Sequence, residues 1–253
     1  MMKRIFISIT LMILMVAMSI TAKSQVLISL LLGDKLNTGK IEFGLDGGVN
    51  WLTMSNTDNA KYLFDWNLGF YFDFRMKNPH LFIHTGVLVK SKMGTRGLDP
   101  QNYLLANDLL DSVFTGGTID RKINYFNVPV MLRYRFNNFI HLEGGVQLGL
   151  RYTGFDVYKQ EIEKKDDLKF MNDVADDFTR IDAGALAGVG YRFKKGEGMI
   201  LAVRYYYGFV DANRVEPGNQ NYSAIYITGA IPIGKGKAER KAAEKAKEIE
   251  PLK

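Results

Sequence analysis

Eight stretches of this chain alternate apolar and polar residues with a period of two, and the polar face of most carries ionised residues and glycine. Along 40–51, Ile41, Phe43, Leu45, Val49 and Trp51 oppose Glu42, Gly44, Asp46, Gly48 and Asn50. Along 64–75, Phe64, Trp66, Leu68, Phe70, Phe72 and Phe74 oppose Asp65, Asn67, Gly69, Tyr71, Asp73 and Arg75. Further rows run over 81–92, 126–136, 140–152, 181–193, 199–209 and 222–233. Successive side chains of a strand point to opposite faces, so each row reads as a strand of about a dozen residues with one greasy and one polar face.

The links between rows alternate in length. Residues 77–79, 137–138 and 194–197 are tight turns of Lys, Asn, Pro and Gly, whereas 52–61, 94–121, 153–178 and 211–219 are long. Tight turns at one end and long loops at the other describe an up-and-down barrel. The chemistry of the two faces then decides its solvent. The polar face holds Glu42, Asp46, Asp65, Asp73, Arg75, Lys90, Lys92, Arg133, Arg135, Glu143, Arg151, Asp182, Arg192 and Arg204, together with Gly44, Gly48, Gly69, Gly86, Gly145, Gly149, Gly184, Gly188 and Gly190. A narrow eight-stranded bore has little room for side chains, so the glycine-rich face is the inner one. Charge inside and grease outside is the lipid-embedded arrangement, the reverse of a soluble barrel. Trp51, Tyr152 and Phe209 fall near the loop ends of greasy rows, and Phe72, Phe74, Phe136, Tyr191 and Phe193 near the turn ends, as two aromatic girdles.

The start of the chain gives the route. Lys3 and Arg4 precede an apolar run over 5–20, and Ala22 and Ser24 are small residues three and one before Gln25. This pattern predicts a signal peptide over 1–24, cleaved after Ser24. Residues 25–39 read as a periplasmic N-terminal segment, 40–234 as the barrel and 235–253 as a charged periplasmic tail. A secreted barrel belongs in a bacterial outer membrane, with long loops outward and tight turns in the periplasm.

Charge and cysteine exclude other classes. The net charge is +6, but the leader carries 3 basic residues and no acid and the tail 7 basic against 4 acidic, which leaves 23 of each sign between them. A basic face for nucleic acid has no support. With no cysteine, disulfide frameworks, zinc ribbons, iron–sulfur clusters and thiol chemistry are excluded. His80, His84 and His141 all fall at the periplasmic ends of their strands, the wrong end for chemistry on the outer leaflet, and no cofactor or metal site is expected. Asp108, Asp111 and Asp120 are the material for a carboxylate-only site in the second long loop, with solvated loop acids as the favoured reading.

Three local expectations follow. Pro129 cannot donate to a ladder, so a bulge or a skipped bond is expected there. The 6 acidic and 8 basic lumen residues are expected to pair across the bore and fill it. The segment 103–114, YLLANDLLDSVF, is apolar enough for a short helix or a lid, and 153–178 reads as a mixed-charge flap. Loops 94–121 and 153–178 are therefore the expected docking surface for an envelope or secretion-complex protein.

The stretch 123–136, INYFNVPVMLRYRF, and the early KIEFGLDGGVNW, 40–51, resemble strands of the PorT-like outer-membrane barrel proteins of Bacteroidetes. The resemblance spans roughly 40–233 and implies an eight-stranded barrel. The family's namesake takes part in type IX protein secretion, a role for which no residue here matches a carrying motif. The combined expectation is an all-β, eight-stranded antiparallel transmembrane barrel. It is non-enzymatic and acts as an envelope scaffold or an accessory to a secretion or surface complex. A small-solute channel is the runner-up, followed by a lipid-modifying enzyme.

Overall fold

In a computed structural model the chain is described over residues 37–38, 40–163, 166–216 and 218–233. The expected signal peptide (1–24), nearly all of the N-terminal segment (25–39) and the charged tail (235–253) lie outside the described residues. Ten strands are formed: β1 (Ile41–Met54), β2 (Leu63–Arg75), β3 (Leu81–Lys90), β4 (Lys92–Leu98), β5 (Thr118–Arg135), β6 (Ile140–Glu163), β7 (Asp166–Asp173), β8 (Ile181–Arg192), β9 (Ile200–Gly208) and β10 (Tyr222–Pro232). Their order is β4-β5-β3-β2-β1-β10-β9-β8-β6-β7, and β5 also pairs with β6. That last pairing closes eight strands, β1, β2, β3, β5, β6, β8, β9 and β10, into a ring. β4 and β7 continue the sheet beyond the ring at the long-loop end.

Two compact units are distinguished. One is Gly44–Ile231, which carries nearly all of the ring. Of the other, residues 37–38, 40–43 and 232–233 are described. Within it, Asn37 Oδ1 accepts from the Phe43 amide at 2.9 Å, Asn37 Nδ2 donates to the Ile233 carbonyl, and the Ile233 amide donates to the Phe43 carbonyl at 3.0 Å. One side chain thus holds both ends of the strand region.

Alternation survives in the burial of side chains. Along β9 every second residue is buried, Ile200, Ala202, Arg204, Tyr206 and Gly208, while Leu201, Val203, Tyr205 and Tyr207 are exposed. Along β6, Leu142, Val146, Leu148 and Leu150 are about half exposed, whereas His141 and Glu143 are buried. The apolar residues face out and the ions face in. In a water-soluble chain so large an apolar surface would drive aggregation; in a bilayer it is the solvated face. The inward glycines set the bore: a Cβ on Gly145 would lie 2.7 Å from Met131 Cα across the strand pair, and one on Gly69 2.7 Å from Leu88 Cα.

Tight turns close the other end. Phe139 adopts φ 66°, and Lys194 and Lys195 adopt φ 49° and 51° ahead of Gly196 at 89°. Consecutive left-handed residues match the twist of a two-strand hairpin. At Pro129 the bond is skipped rather than bulged. Its pairing with Gln147 of β6 keeps register, whereas the β3–β5 ladder breaks between Thr85↔Val130 and Leu88↔Asn127 and resumes in the same register.

The strands outrun the expected rows at the long-loop end. The two ends of 94–121, 94–98 and 118–121, belong to β4 and β5, and 153–178 is not a flap but the continuation of β6 paired with β7, from Phe155↔Asp173 to Glu163↔Asp166. The short helix expected in 103–114 is present as α1 (Asp108–Phe114), capped by Asn107, whose Oδ1 accepts from the Leu110 amide at 3.2 Å. Phe114 packs with Leu98, Ile119 and Tyr158, and Tyr103, Leu105, Leu110 and Phe170 surround them.

Candidate functional site

The bore is crossed by a layer of paired ions contributed by six strands. Arg133 of β5 donates from Nε to Glu143 Oε2 at 2.9 Å and from Nη1 to Asp73 Oδ2 at 2.6 Å. Arg204 of β9 donates from Nε to Glu143 Oε1 at 2.5 Å and from Nη1 to Asp46 Oδ2 at 3.0 Å. His84 of β3 links the two halves, with Nδ1 2.6 Å from Asp73 Oδ1 and Nε2 3.3 Å from Arg204 Nη2. Arg133 Nη2 also lies 3.0 Å from Nδ1, so the imidazole sits between both guanidinium groups and Asp73. These six side chains are at most 3 % exposed. Charges removed from water need such multiple pairing to be tolerated at all. Toward the long-loop end a single acid stands among uncharged polar groups: Tyr206 donates to Asp182 Oδ2 at 2.5 Å, Gln147 to the Tyr226 hydroxyl at 3.4 Å, and Asn127 to Ser91 Oγ at 2.9 Å.

Of the other lumen residues expected from the sequence, Arg192 is buried, Glu42, Arg135 and Arg151 are half-buried, and Arg75 is exposed at the short-turn mouth. The Arg75 and Arg135 guanidinium carbons lie 5.9 and 4.2 Å from the Phe82 ring centroid. Arg151 reaches Asp176 at 3.6 Å. Lys90 and Lys92 were expected in the lumen, and the structure corrects both. The β2–β3 register passes from Gly69↔Leu88 to Leu68↔Lys90, so β3 holds one residue more than its partner, and parity inverts above Leu88. Ser91 and Met93 now face in and Lys90 and Lys92 face out. Lys90 Nζ sits 3.2 Å over the Trp66 ring, and Lys92 Nζ reaches Asp65 at 2.5 Å.

The expected girdle residues occupy outward rows at the two ends. Trp51 meets Phe64 edge-on at 5.4 Å and Tyr152 stacks on Phe126 at 4.6 Å, with Tyr207 and Phe209 6.4 Å apart at the same end. At the short-turn end the pairs are Phe72–Phe74, Tyr134–Phe136 and Tyr191–Phe193.

Above the long-loop girdle a single side chain gathers three loops. Arg121 donates from Nε and Nη2 to both oxygens of Asp156, at 2.9 and 2.8 Å, and from Nη1 to Glu216 at 3.0 Å. Its guanidinium carbon lies 4.5 Å from the Tyr103 ring centroid and 5.0 Å from that of Phe178. Burial opposes its charge, but the hydrogen bonds and fields of Asp156 and Glu216 outweigh burial and raise its pKa. The bidentate pair and the flanking rings require the planar fork of arginine. Sequence reading placed Arg121 at a loop end and gave it no role. Replacing it by Met leaves Asp156 unpaired, and limited proteolysis of the folded barrel is expected to cut segments 99–117 and 211–221 about tenfold faster, the ratio for roughly 1.4 kcal/mol of lost closure. Cleavage at the wild-type rate would show that the loops are held independently of Arg121.

Apart from His141, whose buried ring nitrogens make no hydrogen bond, the remaining polar candidates have structural partners. Asp111 Oδ1 accepts from the Leu105 amide at 2.8 Å, Asp120 binds Lys159 at 2.5 Å, and Asp108 opens α1. His80 contacts the Arg135 carbonyl at 2.9 Å, and His141 lies 3.7 Å from Glu143. Among the described residues no three His, Asp or Glu are grouped to hold a metal ion.

No curated protein matches the sequence. Solved structures similar to the chain include Ail, the attachment invasion locus protein of Yersinia pestis, at 13 % identity over 77 % of this chain and 99 % of that one, TM-score 0.40. Neisserial surface protein A follows at 12 % over 75 % and 96 %, TM-score 0.41, and the outer membrane protein AlkL at 12 % over 78 % and 93 %, TM-score 0.35. The family model described as an outer membrane protein beta-barrel domain matches residues 28–213. With that match covering most of its length, the chain belongs to the outer membrane beta-barrel domain family.

Proposed function

We propose that this outer-membrane barrel is a closed, non-enzymatic member of the envelope, a scaffold or accessory to a secretion or surface complex that works through its long loops. The observation that carries this reading is the ion layer: the mutual pairing of Asp46, Asp73, His84, Arg133, Glu143 and Arg204 across the bore, each at most 3 % exposed, supports a lumen closed to solutes. The long-loop end, by contrast, is tied together by packing and ion pairs. There α1 packs on the sheet and Arg121 joins segments from three loops. In this reading the long loops face outward and the tight turns the periplasm, the usual orientation of such barrels. The stretches 40–51 and 123–136 support placement beside the PorT-like proteins of Bacteroidetes, and the leader over 1–24 supports export through a cleaved signal.

Conductance tests the proposal. Refolded, heat-modifiable barrel in planar bilayers is expected to be silent, and so is the Asp182→Ala variant. Steady ion-selective openings shifted by Arg133→Ala or Asp182→Ala would replace the scaffold reading with a small-solute channel.

A further inference from the structure

The reversal of parity above Leu88 puts Lys90 and Lys92 on the outside of the barrel, beside the outward Lys122 and Lys159 of β5 and β6, and nothing in the scaffold reading uses them. Cross-strand register orders the column. Lys90 lies beside Trp66 in the girdle. The next outward row is Lys92, Asn124 and Thr153, then Gly94, Lys122 and Phe155, then Arg96, Asp120 and Val157, then Thr118, Lys159 and Lys169, beyond which the β6–β7 hairpin continues to the acidic row of Glu161 and Asp167. The same strands turn Met93, Ile123, Arg121 and Asp156 inward, so the lysine face is the one continuous with the lipid-facing belt.

The cations outnumber their partners. Lys92 takes Asp65 at 2.5 Å. Asp120 serves both Lys159, at 2.5 Å, and Lys122, at 3.9 Å, so one carboxylate stands against two ammonium groups. Burial, with the nearby ammonium groups of Lys159 and Lys92, lowers the Lys122 pKa despite the opposing pull of Asp120 and Asp65. Asp173 lies two strands away in the row of Lys122, and Lys90, Arg96 and Lys169 add further positive charge to the face. An ammonium group held beside other cations at the level of lipid headgroups favours an anion with several acceptor oxygens, and each lysine near an anionic surface contributes to its attraction.

We infer that the outward face of β4, β5 and β6 just above the aromatic girdle, centred on Lys92, Lys122 and Lys159, binds the phosphate group of an outer-leaflet glycolipid. This goes beyond the scaffold reading and holds whatever partner the loops engage. The lipid contact orients the barrel in its own membrane and supports the base of the β6–β7 hairpin.

The test is lipid retention. Barrel in nanodiscs is offered diphosphorylated lipid A or the same lipid A stripped of phosphate, then extracted into detergent, passed over gel filtration and weighed intact with its bound lipid. The wild type is expected to keep the phosphorylated lipid about tenfold better. The double variant Lys122→Gln, Lys159→Gln is expected to lose that preference. A control, Lys194→Gln with Lys195→Gln at the opposite end, removes the same charge and is expected to keep it. Heat-modifiable mobility establishes that each variant is folded, and should the double variant fail to fold, single Lys122→Gln takes its place with a smaller loss expected. Equal retention of the two lipids, an unchanged preference in a folded variant, or release of the lipid by millimolar inorganic phosphate would each overturn the assignment, the last by giving the site to a free anion.

Discussion

Arg133→Ala is expected to destabilise the folded barrel by about 3–5 kcal/mol, the largest effect of any single lumen substitution considered. The cost lies in what is left behind. Asp73 loses the guanidinium that reaches it at 2.6 Å and Glu143 loses one of its two, keeping Arg204, while both carboxylates are almost completely removed from water. His84 remains beside Asp73 at 2.6 Å, but it does not replace the bridge that the guanidinium makes from Asp73 to Glu143. Urea titration of the refolded protein in detergent, followed by heat-modifiable mobility, measures the change. A paired variant that removes the acids as well, Asp73→Asn with Glu143→Gln in the Arg133→Ala background, should recover much of the loss, because the penalty comes from unpaired charge and not from missing volume. Full stability of Arg133→Ala alone would show that the bore admits enough water to solvate the two carboxylates.

Val146→Arg on the outer face is expected to cost about 2–4 kcal/mol, comparable in size and opposite in logic. Val146 is about half exposed and lies six residues from both Ile140 and Tyr152, midway between the girdles. A guanidinium there enters the middle of the hydrocarbon. The same substitution at Tyr152, in the girdle, should cost under about 1 kcal/mol, since the penalty falls off toward the interface. The two measured side by side in lipid vesicles give a depth profile, and equal costs at both depths would mean that the greasy face does not meet lipid.

How much of this was legible in the sequence depended on the contrast between faces. Within the membrane the contrast is strong: Leu142, Val146, Leu148 and Leu150 against His141, Glu143, Gln147 and Gly149 fix both the strand and its inner side. Above the girdle it vanishes. Along 118–124 the inward set is Ile119, Arg121 and Ile123 and the outward set Asp120, Lys122 and Asn124, so charge lies on both faces and a period of two leaves no mark in hydrophobicity. For that reason β5 and β6 were cut short and their upper halves read as loops. The misplaced lysines have a different cause. One added residue in β3 inverts every position above it, and an alternation count has no means of seeing a register shift that is defined only by the partner strand. The ion layer fell between these cases. Its members were visible as inward charges, but His84 as the bridge, and Arg121 with Asp156 and Glu216 as a second cluster, required knowing which strands lie side by side.

The ion layer also constrains how the barrel is completed. Its members come from β1, β2, β3, β5, β6 and β9, and no one hairpin holds the whole set. The β5–β6 hairpin brings the Arg133–Glu143 pair and β2–β3 brings Asp73 with His84, whereas Asp46 and Arg204 arrive on strands separated by β10. An unclosed sheet therefore presents unmatched charge that water must hold, and only joining β1 to β10 lets the core dry. Closure and desolvation are one event, so a partly assembled barrel has no stable resting place in the hydrocarbon.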